Sequence, residues 1–159
     1  KLANKNKNLT YEICLLSKDI KDYNFYNMGT GSSIFEEQTL HPRKIEKLKS
    51  STLDIQLPDN IYNFNNNLIK LDVQGSEINV LEGLKKKINF FELIILEVSL
   101  HEYNKGSPLF LEVINYMDKN NYKLYDMFDS KRLGEEYSYL LQFDCVFVRK
   151  DSNLLNVKF

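Results

Sequence analysis

Hydrophobic and polar positions follow a clear strand–helix–strand pattern in the second half of the chain. Residues 68–73 are an apolar run containing an acid, a glycine turn follows at 74–75, and apolar positions at mostly helical spacing fill 76–88. Residues 93–98 are a second continuous apolar run, which is typical of a parallel strand covered on both faces. The order predicts an α/β fold with a parallel sheet and a right-handed crossover.

The pattern continues to about residue 150. Ser107 and Pro108 predict the start of another helix, which carries apolar residues up to position 117. Residues 122–128 and 143–148 predict two more strands, and the 14 residues between them show no helical pattern. A connection of this kind suits a hairpin, so we expect the last strand to run antiparallel.

The first 67 residues have a weaker pattern. Residues 11–16 and 23–28 predict two short strands joined as a hairpin, and a glycine- and serine-rich loop follows at 29–33. Residues 35–51 are polar and contain Pro42, so we expect irregular structure there. We therefore predict one domain over 1–159, with a hairpin and irregular region at 1–67 and a βαβαββ half at 68–150.

Composition excludes several classes of protein. The chain has 159 residues, 43% of them hydrophobic and 27% charged, and its net charge of -1 implies no general attraction to nucleic acid or to anionic membranes. Its longest apolar run, residues 90–100, is too short to span a membrane. Cys14 and Cys145 have no CxxC partner, which favours a reduced, cytoplasmic protein. His41 and His101 are too isolated to predict a metal site.

Two acidic residues occupy equivalent places near the ends of the two predicted parallel strands. Asp72 and Glu97 meet at one edge of the sheet if these strands are neighbours, and Gln74 and His101 are close enough in sequence to join them. A carboxylate there can act as a general base, hold a metal or bind a polar ligand. The alternative is that Asp72 caps the helix that follows. His101 is a candidate proton acceptor or a structural residue.

A second candidate element is the loop that contains Gly31, Ser32 and Ser33. Its backbone N–H groups and hydroxyls can donate hydrogen bonds to a ligand, although short loops of this composition are common. The chain contains no GxGxxG loop, no phosphate-binding GxxxxGK[ST] loop and no GxSxG nucleophile turn. It therefore carries no glycine-based signature of nucleotide binding.

Residues 70–77, which read K-L-D-V-Q-G-S-E, resemble the K-x-D-x-Q-G-x-E motif of the FkbM family of S-adenosylmethionine-dependent methyltransferases. The resemblance covers about residues 9–155. Further segments that are similar to the family in order and type are 30–34, 51–54, 96–100, 103–109, 122–126 and 142–149.

The resemblance implies a Rossmann-like class I methyltransferase fold with a mostly parallel sheet, and methyl transfer to a hydroxyl oxygen of a sugar or secondary metabolite. It places Asp72 at the strand end that faces the methyl donor, with Gln74 beside it and Ser17 near the adenine. Glu97 and His101 lie on the side of the acceptor, and the loop at Gly31, Ser32 and Ser33 closes over the site.

The family normally begins with a strand, a glycine-rich cofactor loop and a second strand that ends in a ribose-binding acid. The sequence lacks these motifs. We therefore expect that binding of S-adenosylmethionine requires an N-terminal segment that is absent here. Without that segment one edge of the 68–73 strand has no partner, and three outcomes are open. The strands at 11–28 cover the edge, another chain covers it by self-association, or the fold is only marginally stable. The alternative function is a non-catalytic, split or degenerate module that binds a partner chain. A metal-dependent hydrolase using Asp72, Glu97 and His101 is a more distant alternative.

Overall fold

The structure, a computed structural model, describes residues 9–63 and 66–156. Within these residues it contains two sheets. The smaller sheet has the order β1-β3-β2 and the larger has the order β4-β5-β7-β6. The strands are β1 Leu15–Leu16, β2 Asp22–Asn27, β3 Lys44–Ser51, β4 Asn67–Leu71, β5 Phe91–Ser99, β6 Tyr122–Leu133 and β7 Tyr139–Arg149. The α-helices are α1 Leu53–Gln56, α2 Glu77–Glu82 and α3 Phe110–Lys119.

The larger sheet confirms two predictions. Strands β4 and β5 are parallel neighbours joined through α2, with Leu71 opposite Leu96 in the register. Strand β7 runs antiparallel to both β5 and β6, as predicted for the last strand. The chain is thus mixed α/β, and the carboxyl ends of β4 and β5 lie at the same edge of the sheet.

The hydrophobic core lies on one face of the larger sheet. Because side chains alternate between faces along a strand, Leu71, Leu96 and Cys145 point to the same side as their buried neighbours two positions away. Helices α2 and α3 cover this face. Their contributions to the core are Val80, Leu81, Val113 and Met117.

The prediction of a hairpin in the first part of the chain is wrong. Strands β1 and β2 do not pair with each other, and both pair with β3: β1 in parallel and β2 antiparallel, with Asp22 opposite Lys49. The expected irregular structure is therefore also wrong over Lys44–Ser51. Strand β3 reads KIEKLKSS, and its charged residues obscure the alternation of apolar and polar positions that identifies a strand. Its strand conformation depends mainly on hydrogen bonding to the neighbouring strands.

The helix predicted over 76–88 is shorter in the structure. Helix α2 ends at Glu82, and a 3-10 helix at Lys85–Phe90 follows. A Cβ atom at Gly83 would lie 2.5 Å from the backbone oxygen of Ser17, so only glycine allows this close approach of α2 to the smaller sheet. Among the described helices, none is long and apolar enough to cross a membrane.

Candidate functional site

The face of the larger sheet opposite the core carries a row of polar side chains near the carboxyl ends of β4 and β5. The register places Glu97 opposite Asp144 and Ser99 opposite Gln142, so these side chains share that face. Asp72 directly follows β4 and lies two positions after Lys70, so it continues the alternation of side chains on this face. Polar residues at every second position therefore turn one face of the sheet into a polar surface at this edge.

Gln74 joins the two acidic residues that the sequence predicted to meet. Its Nε2 atom donates a hydrogen bond to Asp72 Oδ1 at 3.0 Å and another to Glu97 Oε2 at 2.8 Å. The two carboxyl groups differ in environment, because Asp72 is exposed whereas Glu97 is 7% exposed. Only Asp72 is therefore open to a ligand, and Glu97 lies beneath the amide that links them.

The backbone of Gln74 is held from two other loops. Its φ angle is +52°, and its carbonyl oxygen accepts a hydrogen bond from Ser33 Oγ at 2.8 Å and another from Asn104 Nδ2 at 3.0 Å. A positive φ at a residue with a side chain costs free energy, which the surrounding contacts must offset. The side chain and the carbonyl of Gln74 are thus fixed together, which orients the amide toward the carboxylates.

Glu77 stabilises the same turn through hydrogen bonds to its backbone. Its Oε1 atom accepts hydrogen bonds from the backbone N–H groups of Val73 at 3.0 Å and Gly75 at 3.3 Å. Burial raises the pKa of Glu77 to about 7, although these backbone hydrogen bonds act in the opposite direction. Glu77 therefore stabilises the turn that carries the site rather than contacting a ligand.

Two lysines neutralise the buried carboxylates on the polar face. Lys131 Nζ lies 2.6 Å from Glu97 Oε1, and Lys70 pairs with Asp144, which is 3% exposed. The hydrogen bond to Glu97 raises the pKa of Lys131, and the hydrogen bond to Asp144 raises the pKa of Lys70. Glu97 and Asp144 thus each have a charged partner, which offsets the cost of burying their charge.

Asp72 lies on the wall of two cavities. One, of about 320 Å³, is lined by Asp72 together with Gln74, Lys131, Leu141 and Gln142, and also by Thr30, Gly31, Tyr103 and Leu133. The other, of about 310 Å³, lies between the end of β1, the 29–34 loop and the Asp72–Ser76 segment. We call them the rim cavity and the loop cavity. A carboxylate between two cavities can contact two ligands at once.

The loop cavity has one polar atom that stands out. The hydroxyl oxygen of Ser76 is buried and has no hydrogen-bond partner among the described residues, and Ser76 lines this cavity. The other walls are mostly apolar and include Leu15, Leu16 and Phe25. An apolar pocket with a few polar groups is the usual form of a small-molecule site.

The remaining predicted site residues are distributed around these cavities. Gly31 lines the rim cavity, and Ser32 and Ser33 line the loop cavity. Ser17 lines neither cavity; it is buried, and its hydroxyl donates to Tyr23 Oη at 2.9 Å. His101 lines neither cavity; its ring stacks on Tyr139 with 4.2 Å between the ring centroids.

Sequence reasoning did not identify Lys131 and Gln142 as site residues. Both lie in strands that pair at this edge, and Lys131 is opposite Gln142 in the register. A signal for Gln142 was present, because Gln142 and Asp144 are polar at alternating positions of an otherwise apolar strand. Lys131 carried no such signal, since the second half of β6 is exposed throughout and Lys131 lies in a polar run within it.

Comparison with known proteins gives one match. A family model described as Methyltransferase FkbM domain matches residues 2–124. No curated protein and no solved structure matches the chain. The matched range includes Asp72, Gln74 and Glu97 and ends within β6, before Lys131 and Gln142.

Proposed function

The chain belongs to the FkbM methyltransferase family, and from that premise we propose that it transfers a methyl group from S-adenosylmethionine to a hydroxyl oxygen of a sugar or secondary metabolite. The proposal includes a preceding segment that supplies the glycine-rich part of the cofactor site. The observation that carries it is the exposed Asp72 carboxylate, which lies between the loop cavity and the rim cavity.

The sheet supports a Rossmann-like arrangement for the proposed fold. Parallel β4 and β5 are connected by a helix on the core face, and an antiparallel strand, β7, adds to the far side of β5. In the described residues β4 pairs only with β5, so its other edge is open to the first strand of such a sheet. Ligands of open α/β sheets bind beyond the carboxyl ends of the strands, where Asp72 lies.

The loop cavity fits the cofactor in the chemistry of its walls. It offers the carboxylate of Asp72, the unpartnered hydroxyl of Ser76 and apolar side chains from β1. When bound, S-adenosylmethionine supplies a methyl group on a positively charged sulfur. A carboxylate beside that charge is favourable, so we propose that Asp72 contacts the cofactor. Gln74, which lines the rim cavity, belongs to the cofactor side through its hydrogen bond to Asp72, and Ser17, which lines neither cavity, belongs to it as the residue that follows β1.

The residues of the chain would then act on the acceptor. Asp72 accepts the proton of the acceptor hydroxyl as a general base, while Gln74 holds the Asp72 carboxylate in place through the hydrogen bond at 3.0 Å. Glu97 fixes the other side of the Gln74 amide and stays covered. His101 remains a candidate base of the acceptor side, at the periphery beside Tyr139.

The Gly31, Ser32 and Ser33 loop is proposed to border both ligands. It lies between the two cavities, and Ser33 bonds the carbonyl of Gln74. A ligand that moves this loop therefore also moves the amide that holds Asp72. We further propose a reducing, cytoplasmic location, which the two unpaired cysteines support.

The test compares Asp72→Asn with the unchanged sequence, both in the protein extended by the preceding segment. We expect calorimetric titration with S-adenosylmethionine to show weaker binding in the variant, and methyl transfer to a panel of sugars and hydroxylated metabolites to fall by about 10²- to 10⁴-fold, because the amide cannot accept the proton. Asp59→Asn, in an exposed loop, is the matched control and should leave both unchanged. Equal activity of Asp72→Asn and the unchanged chain would contradict the proposed role of Asp72.

The alternative function is a non-catalytic module that binds a partner chain through β4. The observation that favours it is that Leu68, in the edge strand β4, is 53% exposed. Binding of S-adenosylmethionine to the chain would favour the enzyme. Absence of both binding and methyl transfer in the extended protein, with a stable complex through β4, would favour the module.

A further inference from the structure

Cys14 is an exposed thiol in the walls of two cavities. It directly precedes β1 and lines the loop cavity. It also lines a third cavity, of about 400 Å³, to which β1, β2 and β3 all contribute. We call this one the sheet cavity, and its walls are Ile13, Cys14, Leu15, Phe25, Leu48 and Lys49. A group attached to the sulfur of Cys14 would therefore occupy one or both of these cavities.

The loop cavity carries a second, independent indication of a ligand. Ser76 lines this cavity and is 4% exposed, and its hydroxyl oxygen is buried without a hydrogen-bond partner among the described residues. Most buried polar atoms of side chains have a partner, because an unmet donor or acceptor costs free energy. A ligand with amide groups can supply both a donor and an acceptor to this hydroxyl.

The sheet cavity adds a positive charge near the thiol. Leu15 lies opposite Ser50 in the parallel register of β1 and β3, and Cys14 and Lys49 precede this pair by one position. Lys49 lines the sheet cavity together with Cys14 and forms no ion pair within the described part of the chain. Its ammonium group favours a negatively charged ligand in the sheet cavity, whereas Asp72 opposes one in the loop cavity.

We propose that Cys14 is a modification site that forms a mixed disulfide with a small anionic peptide thiol of the glutathione class, and that the attached peptide closes the loop cavity. The carboxylates of the peptide lie toward Lys49, and its amide groups lie toward Ser76. The inference rests on the proposed function in one respect only, which is that the loop cavity holds S-adenosylmethionine. Disulfides in a reducing compartment are usually transient and redox-sensing, so the adduct would lower methyl transfer under oxidising conditions.

The adduct forms by thiol–disulfide exchange with the oxidised peptide. The thiolate sulfur of Cys14 attacks one sulfur of the disulfide, and a new S–S bond forms as the S–S bond of the reagent breaks. The other half of the reagent leaves as a thiolate and takes up a proton equivalent to the one that Cys14 lost. Cys14 is thereby oxidised and the leaving half is reduced, and excess reduced thiol reverses the step.

The first test adds oxidised glutathione to the 159-residue chain and follows the intact mass and the masses of its peptides. We expect one glutathionyl group at Cys14, removed by dithiothreitol and absent from Cys14→Ser. Cys145 is an internal control, because it is fully buried and burial raises the pKa of its thiol to about 12. The thiolate is the reacting form, so Cys145 should stay unmodified while the chain is folded.

A pair of variants and a pair of disulfides test the role of the charge. Lys49→Gln should lower the rate of reaction with oxidised glutathione by about 2- to 5-fold, since it removes one attraction for the carboxylates. The same variant should react with the neutral 2-hydroxyethyl disulfide as fast as the unchanged chain does. Lys47→Gln removes the same charge from an exposed position of β3 outside both cavities and should leave both rates unchanged. The circular dichroism spectrum of each variant shows whether it is folded.

The protein extended by the preceding segment separates this inference from the proposed function. There we expect Cys14 to form the same adduct, S-adenosylmethionine to slow its formation, and the adduct to prevent binding of S-adenosylmethionine until dithiothreitol is added. An adduct at Cys14 that depends on Lys49 supports the modification site even if the extended protein transfers no methyl group. No adduct at Cys14 in the extended protein, equal reaction of Cys14 and Cys145, equal rates for Lys49→Gln and the unchanged chain, or full binding of S-adenosylmethionine to the modified protein would overturn it, even if methyl transfer is established.

Discussion

At the scale of single residues, burial separates acidic side chains that look equivalent in the sequence. Asp72 is exposed between two cavities, whereas Glu97 is covered and held by Gln74 and Lys131. Glu77, only five positions after Asp72, is 4% exposed and binds backbone N–H groups of the turn. Of these three carboxyl groups, one is thus open to solvent, one belongs to a side-chain network and one holds a backbone turn, according to its depth in the structure.

Glu77 predicts a dependence of stability on pH. Its pKa is about 7 in the folded chain, above its ordinary value of 4.5, so between these values the folded state keeps a proton that the unfolded state releases. The contribution to stability is therefore complete below about pH 4.5 and is lost as the pH rises through 7, with a slope of at most about 1.4 kcal/mol per pH unit.

The measurement is urea unfolding of the chain and of Glu77→Gln at several values between pH 5 and 8. The variant cannot titrate at this position, so its free energy of unfolding should fall less with rising pH than that of the unchanged chain. Glu12→Gln, at an exposed position, should keep the original slope. The same slope in Glu77→Gln as in the unchanged chain would contradict the assignment.

At the scale of elements, the turn between β4 and α2 determines the site. This turn needs positive φ angles at Gln74 and Gly75, and it packs against the loop that contains Asn104 and Ser107. A Cβ atom at Gly75 would lie 2.6 Å from Ser107 Cβ. Close packing between the turn and this loop therefore requires glycine, and it places Gln74 within reach of both carboxylates.

Gly75→Ala and Gly106→Ala form a matched pair for this packing. Both glycines have a positive φ, of +92° and +78°, but a Cβ atom at Gly106 would have no neighbour within 4 Å. Alanine at Gly106 should cost about 1–2 kcal/mol for the left-handed backbone alone. Alanine at Gly75 should cost about 1–3 kcal/mol more because of the steric overlap, as measured by urea unfolding. Equal losses in the two variants would show that the contact with Ser107 has no effect.

At the scale of the whole molecule, the larger sheet has an open side. Strand β4 has one partner, β5, among the described strands, and Leu68 is exposed there. Backbone N–H and C=O groups on an unpaired parallel strand can pair with another chain. The fold therefore leaves its most apolar pair of parallel strands accessible from one edge.

We predict that the chain self-associates through this edge. Sedimentation at increasing concentration should show dimers or larger species, and Leu68→Lys should shift the distribution toward the monomer because a charge opposes close pairing. Leu111→Lys is the control, since Leu111 is 68% exposed on α3 and lies away from β4. A monomer at all concentrations, or an equal effect of the two variants, would contradict the prediction.

The sequence by itself determined the strand–helix–strand part of the fold and the nomination of Asp72, Gln74 and Glu97. These features depend on local periodicity and on a short motif, which are properties of neighbouring residues. The antiparallel direction of β7 followed from the length of the connection before it. The family also followed from the sequence, since its motifs are contiguous.

Only the tertiary structure decided which strands pair with each other and which side chains are in contact. Strand β3 joins β1 and β2 through pairing between residues 17 to 35 positions apart, which the charged pattern of β3 does not reveal. Glu97 is covered because Lys131 reaches it from β6, and Gln142 enters the cavity wall because its neighbours in the sheet are distant in sequence. Burial depends on contacts made by the whole chain, so a single sequence identifies the acidic groups but not which of them a ligand can reach.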